Sequence, residues 1–86
     1  MASDTLTIRF FARLREDLDT DTLQWPASTG LTAGDLLDAL AARGGAWASL
    51  TGGQPVMIAV NQTMARPGTP VAAGDEVAFF PPVTGG

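Results

Sequence analysis

The chain has 86 residues, a net charge of −4, and neither cysteine nor histidine. A chain of this length forms one small domain, which buries only about 60% of its unfolded surface. Tyrosine and lysine are also missing, so the usual nucleophiles, near-neutral acid–base groups and soft metal ligands are not available. We therefore expect no autonomous enzyme and no cofactor or metal bound by this chain, and the negative charge disfavours nucleic acid as a partner.

The sequence contains no apolar stretch long enough to predict a membrane-spanning helix. Residues 1–4 have neither the basic region nor the apolar region of a secretory signal. We therefore expect a cytoplasmic protein that does not associate with membranes.

The first predicted strand covers residues 5–11, in which apolar and polar side chains alternate. Leu6, Ile8 and Phe10 fall on one face, which predicts the core side of a sheet. Phe11 falls on the opposite face, which it shares with charged Arg9.

A charged segment follows, and we interpret residues 12–17 as a connection to a second strand at residues 22–25, which Pro26 ends. Three aspartates alternate within residues 17–21, a spacing that suggests a cation-binding loop. The glycine and distal glutamate of a calcium loop are missing. We therefore predict a solvated hairpin.

One main helix is predicted to begin at Thr32. Asp35 lies three residues further on, as in a capping box with Asp in place of Glu or Gln. Apolar residues then recur at helical spacing, at Leu36, Leu37, Leu40 and Ala41. The glycines at 44–45 predict the end of the helix, and Trp47 and Leu50 are expected to form an apolar turn beneath the sheet.

Three further strands are predicted at residues 56–60, 63–65 and 75–80, with a tight turn at residues 61–62 between the first two. Two strands, a helix and three strands predict an α+β protein with the β-grasp architecture, a mixed sheet crossed by one main helix. The first and last strands are expected to lie side by side and parallel at its centre. Residues 1–86 should form one domain, with a flexible tail from about residue 81.

The sequence closes with Pro-Pro-Val-Thr-Gly-Gly at residues 81–86. Glycine has no Cβ, so the last two residues, Gly85 and Gly86, are narrow enough to enter a channel in another enzyme. The terminal carboxylate is therefore a candidate reacting group. The pattern by itself is equally compatible with a frayed terminus.

Three segments make the chain resemble the small, sulfur-carrying subunits of molybdopterin synthase. They are Phe-Phe-Ala followed by Arg-Glu within residues 10–16, Ala-Val-Asn-Gln-Thr at residues 59–63, and Gly-Asp-Glu-Val-Ala-Phe-Phe-Pro-Pro-Val-Thr-Gly-Gly at residues 74–86. The resemblance covers essentially the whole chain. It implies the ubiquitin-like β-grasp fold, in agreement with the order of the predicted elements.

The resemblance also implies a function as a sulfur carrier in molybdenum cofactor biosynthesis. An adenylating enzyme would use ATP and magnesium to activate the carboxylate of Gly86, and a sulfur donor would convert it to a thiocarboxylate. The tail, with Gly85, would then enter the large synthase subunit and donate sulfur to cyclic pyranopterin monophosphate. The chain would thus be a subunit of a hetero-oligomer, with two partner proteins and no bound cofactor.

Phe11 and Phe80 are the main candidates for contact with a partner. Each lies on a strand face shared with a charged residue, where a core does not explain an aromatic ring. A strand bulge that reversed the alternation would instead place both in the core. The complete set of predicted partner-binding residues is Phe11, Met64, Phe80, Pro81, Pro82, Val83 and Thr84.

Three other functions remain open from the sequence. The chain could carry sulfur for another product, such as the thiamin thiazole, although the residues before Gly85 favour the molybdopterin type. It could be a protein modifier joined to lysines through Gly86; lacking lysine, it would not form chains on itself. It could also be an interaction module with an inert tail.

Overall fold

The computed structural model describes residues 4–52 and 55–82. Within them the strands are β1 (Thr5–Phe10), β2 (Thr22–Pro26), β3 (Met57–Val60), β4 (Thr63–Ala65) and β5 (Glu76–Phe80). The helices are α1 (Ala12–Leu18) and α2 (Ala33–Ala41), followed by a 3₁₀ helix at Gly45–Thr51. Of the helices in the described ranges, none has the length and apolar character needed to cross a membrane.

The strands form one mixed sheet in the order β2-β1-β5-β3-β4. β1 and β5 are parallel at its centre, with Ile8 opposite Val77 and Phe10 opposite Phe79. The other pairs are antiparallel. The predicted mixed sheet, with its first and last strands adjacent and parallel, is confirmed.

The core lies on one face of this sheet. The alternation predicted for β1 is confirmed, and β5 has the same pattern, since every second side chain is buried in both strands. The largest fully buried side chains from the sheet and from the elements packed on it are Leu6, Ile8, Phe10, Leu36, Leu40, Leu50, Val77 and Phe79. The residues between the buried ones in β1 and β5 therefore point to the opposite side.

The segment after β1 is a helix, so the prediction of a charged connection at residues 12–17 is wrong. Leu14 and Leu18, one helical turn apart, are both buried. Asp19 ends the helix in the left-handed conformation with φ of 51°, and its N–H donates to main-chain carbonyls of the last turn. A helix of seven residues is too short to be stable by itself, so tertiary burial of the two leucines decides its formation.

The same finding corrects the interpretation of the aspartate run at residues 17–21. Asp17 belongs to α1 and Asp19 terminates it, so the connection between β1 and β2 contains a helix. The antiparallel pairing of the two strands and the exposure of all three aspartates are as predicted. Throughout residues 4–52 and 55–82, no group of three acidic side chains is arranged to hold a metal ion.

α2 begins with the predicted capping box. The main-chain N–H of Asp35 donates to the Thr32 hydroxyl at 3.2 Å. The N–H of Thr32 donates to the Asp35 carboxylate at 3.0 Å. The two bonds satisfy donors that would otherwise have no partner in the helix.

Replacing the cap is expected to lower the stability of the whole domain. Thr32→Ala removes the acceptor for Asp35 N–H and should reduce the free energy of unfolding by about 1 kcal/mol. Thr32→Ser retains the hydroxyl and serves as the matched control. Urea denaturation of both variants measures the difference; equal stability of the two would contradict the role of the hydroxyl.

The 3₁₀ helix holds Trp47 and Leu50 against the core, as predicted. Leu50 is buried, and the Trp47 ring meets Phe10 edge-on, with the ring centroids 5.5 Å apart. The Arg43 guanidinium lies 4.7 Å from the centroid of Trp47 and 5.5 Å from that of Trp25 on β2. These contacts join the segment after α2 to the edge of the sheet.

The predicted tight turn between β3 and β4 is present. Asn61 and Gln62 both have positive φ, 51° and 69°, as a two-residue hairpin turn of type I′ requires. The Asn61 side chain accepts from the N–H of Glu76 at 3.1 Å and donates to the Asp75 carboxylate at 3.2 Å. The turn is thereby attached to the start of β5.

Candidate functional site

The side of the sheet opposite the core carries a group of exposed and half-buried side chains. Cross-strand pairing places Met64 opposite Ala59, and Ala59 opposite Ala78. Ala78 in turn lies beside Arg9 of β1. We call this surface the open face; it is formed by Arg9, Phe11, Met57, Ala59, Gln62, Met64, Glu76, Ala78 and Phe80.

Phe11 and Phe80 are brought together, as predicted. Both line one shallow depression, whose floor is formed by Ala59 and Ala78. The Phe11 ring is on the surface, with 40% of the residue exposed, and Phe80 is half-buried. The Phe11 N–H donates to the Phe79 carbonyl at 3.2 Å, which holds the end of β1 against β5.

The proposed strand bulge does not occur. The register of β5 runs without interruption against both β1 and β3. Phe79 therefore points into the core and is fully buried, while Phe80 points to the open face. The alternative that Phe11 and Phe80 are core residues is wrong.

Met64 belongs to the same surface. It lies on edge strand β4, directly opposite Ala59, and 58% of it is exposed. Phe11 and Met64 are the large apolar residues that are exposed in the described part of the chain. Exposed apolar side chains grouped on one face are typical of a surface that binds another protein.

The predicted tail begins beside the open face. Pro81 and Pro82 follow Phe80 directly and are half-buried. Pro81 lines a second depression together with Leu14 of α1 and Val56 before β3. The other predicted tail residues, which are Val83, Thr84, Gly85 and Gly86, lie outside the described residues, so their roles stay predictions.

A charged pair lies within the open face. The Arg9 guanidinium donates to the Glu76 carboxylate at 2.9 Å, and it lies 5.4 Å from the centroid of the Phe11 ring. The alternation of β1 and β5 places both charges on the face of Phe11 and Phe80, but it does not show that they touch.

The alanines of the open face were not predicted as site residues. Ala59 and Ala78 form the floor of the depression beside the two phenylalanines, and their small side chains leave space next to the rings. The sequence signal is weak, because an alanine in a strand is equally typical of a buried position. Only the register of β3 against β5 places both in the depression.

A mixed sheet with parallel central strands and a capped helix across one face defines the ubiquitin-like β-grasp class of protein, here with an apolar open face beside the C-terminal segment. The model of the ThiS family matches residues 8–86. The chain belongs to the ThiS family.

Two curated relatives are similar over nearly the whole chain, and each is described as a molybdopterin synthase sulfur carrier subunit. The one from Haemophilus influenzae is 40% identical over 81 residues, covering 94% of this chain and 99% of the relative. The one from Escherichia coli is 41% identical, with the same coverage of 94% and 99%. Among solved structures, SAMP1 from Haloferax volcanii is similar with a TM-score of 0.78 and 34% identity, covering 95% of this chain and 99% of that chain.

Proposed function

We propose that this protein is the sulfur carrier subunit of a molybdopterin synthase, that it acts in the cytoplasm, and that the carboxylate of Gly86 is its reacting group. One observation carries the proposal: about 40% identity over 94% of the chain to two carriers of that description. The family match, which extends to residue 86, includes the glycine pair.

The chemistry that the proposal assigns to Gly86 takes place in three steps. Its carboxylate attacks the α-phosphate of ATP on an adenylating enzyme, which forms the acyl-adenylate and releases pyrophosphate. Sulfur from a donor then displaces AMP, and the product is a thiocarboxylate. In the synthase the sulfur passes to cyclic pyranopterin monophosphate, and water supplies the oxygen that restores the carboxylate of Gly86. ATP and magnesium are used by the adenylating enzyme, and this chain supplies the carboxylate.

In this proposal the two partner proteins bind the folded domain, which positions the tail in their active sites. Phe11, Met64 and Phe80 provide an apolar surface next to its first residues. Pro81 and Pro82 restrict φ to values near −65°, which reduces the conformational entropy lost when a partner binds the segment. We propose that the large catalytic subunit of the synthase docks on the open face and receives residues 83–86.

A second candidate function is conjugation to lysines of other proteins. The likeness to the small archaeal modifier protein SAMP1 favours it, at 34% identity. The identity to the two sulfur carriers is higher, at 40% and 41%. We therefore place the carrier function first.

Intact mass spectrometry of the protein isolated from its own host tests the proposal. We expect a fraction of the protein to be heavier by the difference between one sulfur and one oxygen, with the change localised to Gly86 by fragmentation. A host that lacks the adenylating enzyme is the control and should contain the unshifted mass only.

The alternatives give different results in the same preparation. Adducts on lysines of other proteins that resist boiling and reducing agent, without any thiocarboxylate, would favour the modifier. A thiocarboxylate that transfers no sulfur to pyranopterin when the large synthase subunit is added would favour a carrier for another product.

A further inference from the structure

The Arg9–Glu76 ion pair stands at an unusual position for a surface salt bridge. It borders the same depression as Phe11, Phe80 and the alanine floor, so a partner that covers the two rings also covers the charges. The side chains are 48% and 32% exposed. In the free protein such a pair contributes little to stability, about 0–1 kcal/mol.

Docking changes the energetics of the pair. A partner that covers the open face removes water from both charges, and this desolvation is unfavourable unless the remaining hydrogen-bonding groups find partners. The guanidinium has several N–H donors in a fixed fork, and the bond to Glu76 uses Nη1. A purely apolar partner surface would leave the other donors unsatisfied.

The surroundings of Arg9 orient its guanidinium. Glu76 holds it from one side at 2.9 Å, and the Phe11 ring lies 5.4 Å away on another. Because two groups restrain the side chain before docking, less rotamer entropy is lost when a further acceptor binds it. Phe11 is in turn restrained by the charge near its ring.

We infer that Arg9 is a specificity-determining contact of the open face, and that the large synthase subunit presents a neutral oxygen acceptor, a main-chain or amide carbonyl, opposite its guanidinium within an otherwise apolar surface. A neutral acceptor is favoured because Glu76 already balances the charge of Arg9, so that a partner carboxylate would bury an excess negative charge. This inference rests on the proposed function, which supplies the partner.

The test measures the affinity of the full chain for its own large subunit by calorimetric titration. Arg9→Met keeps the apolar stem and removes the donors, and we expect it to weaken binding by about tenfold or more. The same loss is expected in a Glu76→Gln background, where no unpaired carboxylate remains to be buried; no loss in that background would contradict the carbonyl contact. Arg9→Lys keeps the charge without the planar fork and should also weaken binding. Arg15→Met, at an exposed position of α1, removes the same charge away from the open face and should bind like the wild type.

The salt dependence of the affinity distinguishes a desolvated contact in the interface from long-range electrostatic attraction. Between about 0.1 M and about 1 M salt the Debye length falls from roughly 10 Å to roughly 3 Å, which screens exposed charges but not desolvated ones. The ratio of Arg9→Met to wild-type affinity should therefore stay constant. A ratio that approaches one at high salt would overturn the inference.

The remaining outcomes are distinguishable. If the wild type binds, and Arg9→Met binds equally well or more tightly and unfolds at an unchanged temperature, the role of Arg9 is overturned. The proposed function then remains intact. Failure of the wild-type chain to bind the large subunit overturns both. Full binding by Arg9→Lys would show that charge alone suffices, which contradicts the proposed carbonyl contact.

Discussion

Deleting Gly86, or adding one residue after it, is expected to abolish thiocarboxylate formation and molybdopterin production. The carboxylate of Gly86 attacks the α-phosphate of ATP, and its adenylated carbonyl carbon is then the electrophile for sulfur. Any added residue moves the carboxylate away from the α-phosphate, and it adds a Cβ unless it is glycine. An added alanine therefore tests both position and width. The measurements are cofactor production in cells that lack the natural copy and intact mass after incubation with the adenylating enzyme and ATP.

Neither the deletion of Gly86 nor the added residue is expected to alter the fold. The described core lies within residues 6–79, so the free energy of unfolding should remain close to wild type. The open face is also unchanged in these variants, so docking of the large subunit should be largely retained. Gly85→Ala serves as the intermediate variant, since it retains the carboxylate and widens the tail. If the chain without Gly86 still restores cofactor production, the proposed function is wrong.

Phe79 and Phe80 are expected to give opposite results when each is replaced by alanine. Phe80 lies on the open face and borders its depression, so Phe80→Ala should weaken binding of the large subunit by about 2 kcal/mol or more, as the loss of a central aromatic contact does. Its effect on unfolding should be small. Phe79 is fully buried, so Phe79→Ala should reduce the free energy of unfolding by about 3–5 kcal/mol.

Chemical denaturation and binding titration of both variants distinguish the two roles. Each variant is the matched control of the other, because the chemical change is identical and the positions are adjacent. Unfolding of Phe80→Ala would show that its ring is a core element, contrary to the register of β5. Unchanged affinity of Phe80→Ala would remove it from the docking surface.

Local sequence patterns predicted the elements that have a clear periodicity or a capping motif. The alternation of β1 assigned Phe10 to the core, and the charged residues on the same strand faces assigned Phe11 and Phe80 to the other side. Each assignment is confirmed. The capping box at Thr32 gave the start of α2 correctly. In these cases the signal is local, because a strand or a helix repeats its faces over a few residues.

The short helix α1 shows where local patterns are insufficient. Its two buried leucines, Leu14 and Leu18, are separated by charged residues, and two positions do not establish a period. The helix exists because the sheet and the 3₁₀ helix offer an apolar surface on which Leu14 and Leu18 are buried. That surface is assembled from segments far apart along the chain.

The sequence by itself determined the order of the five strands and the main helix, the face of each central strand, and the family resemblance that points to Gly86 as the reacting group. Only the tertiary structure decided which side chains meet across strands. The Arg9–Glu76 pair joins residues 67 positions apart, and the alanine floor depends on the register of β3 against β5. Such contacts follow from strand pairing over long sequence separations, whereas periodicity and capping report only on neighbouring residues.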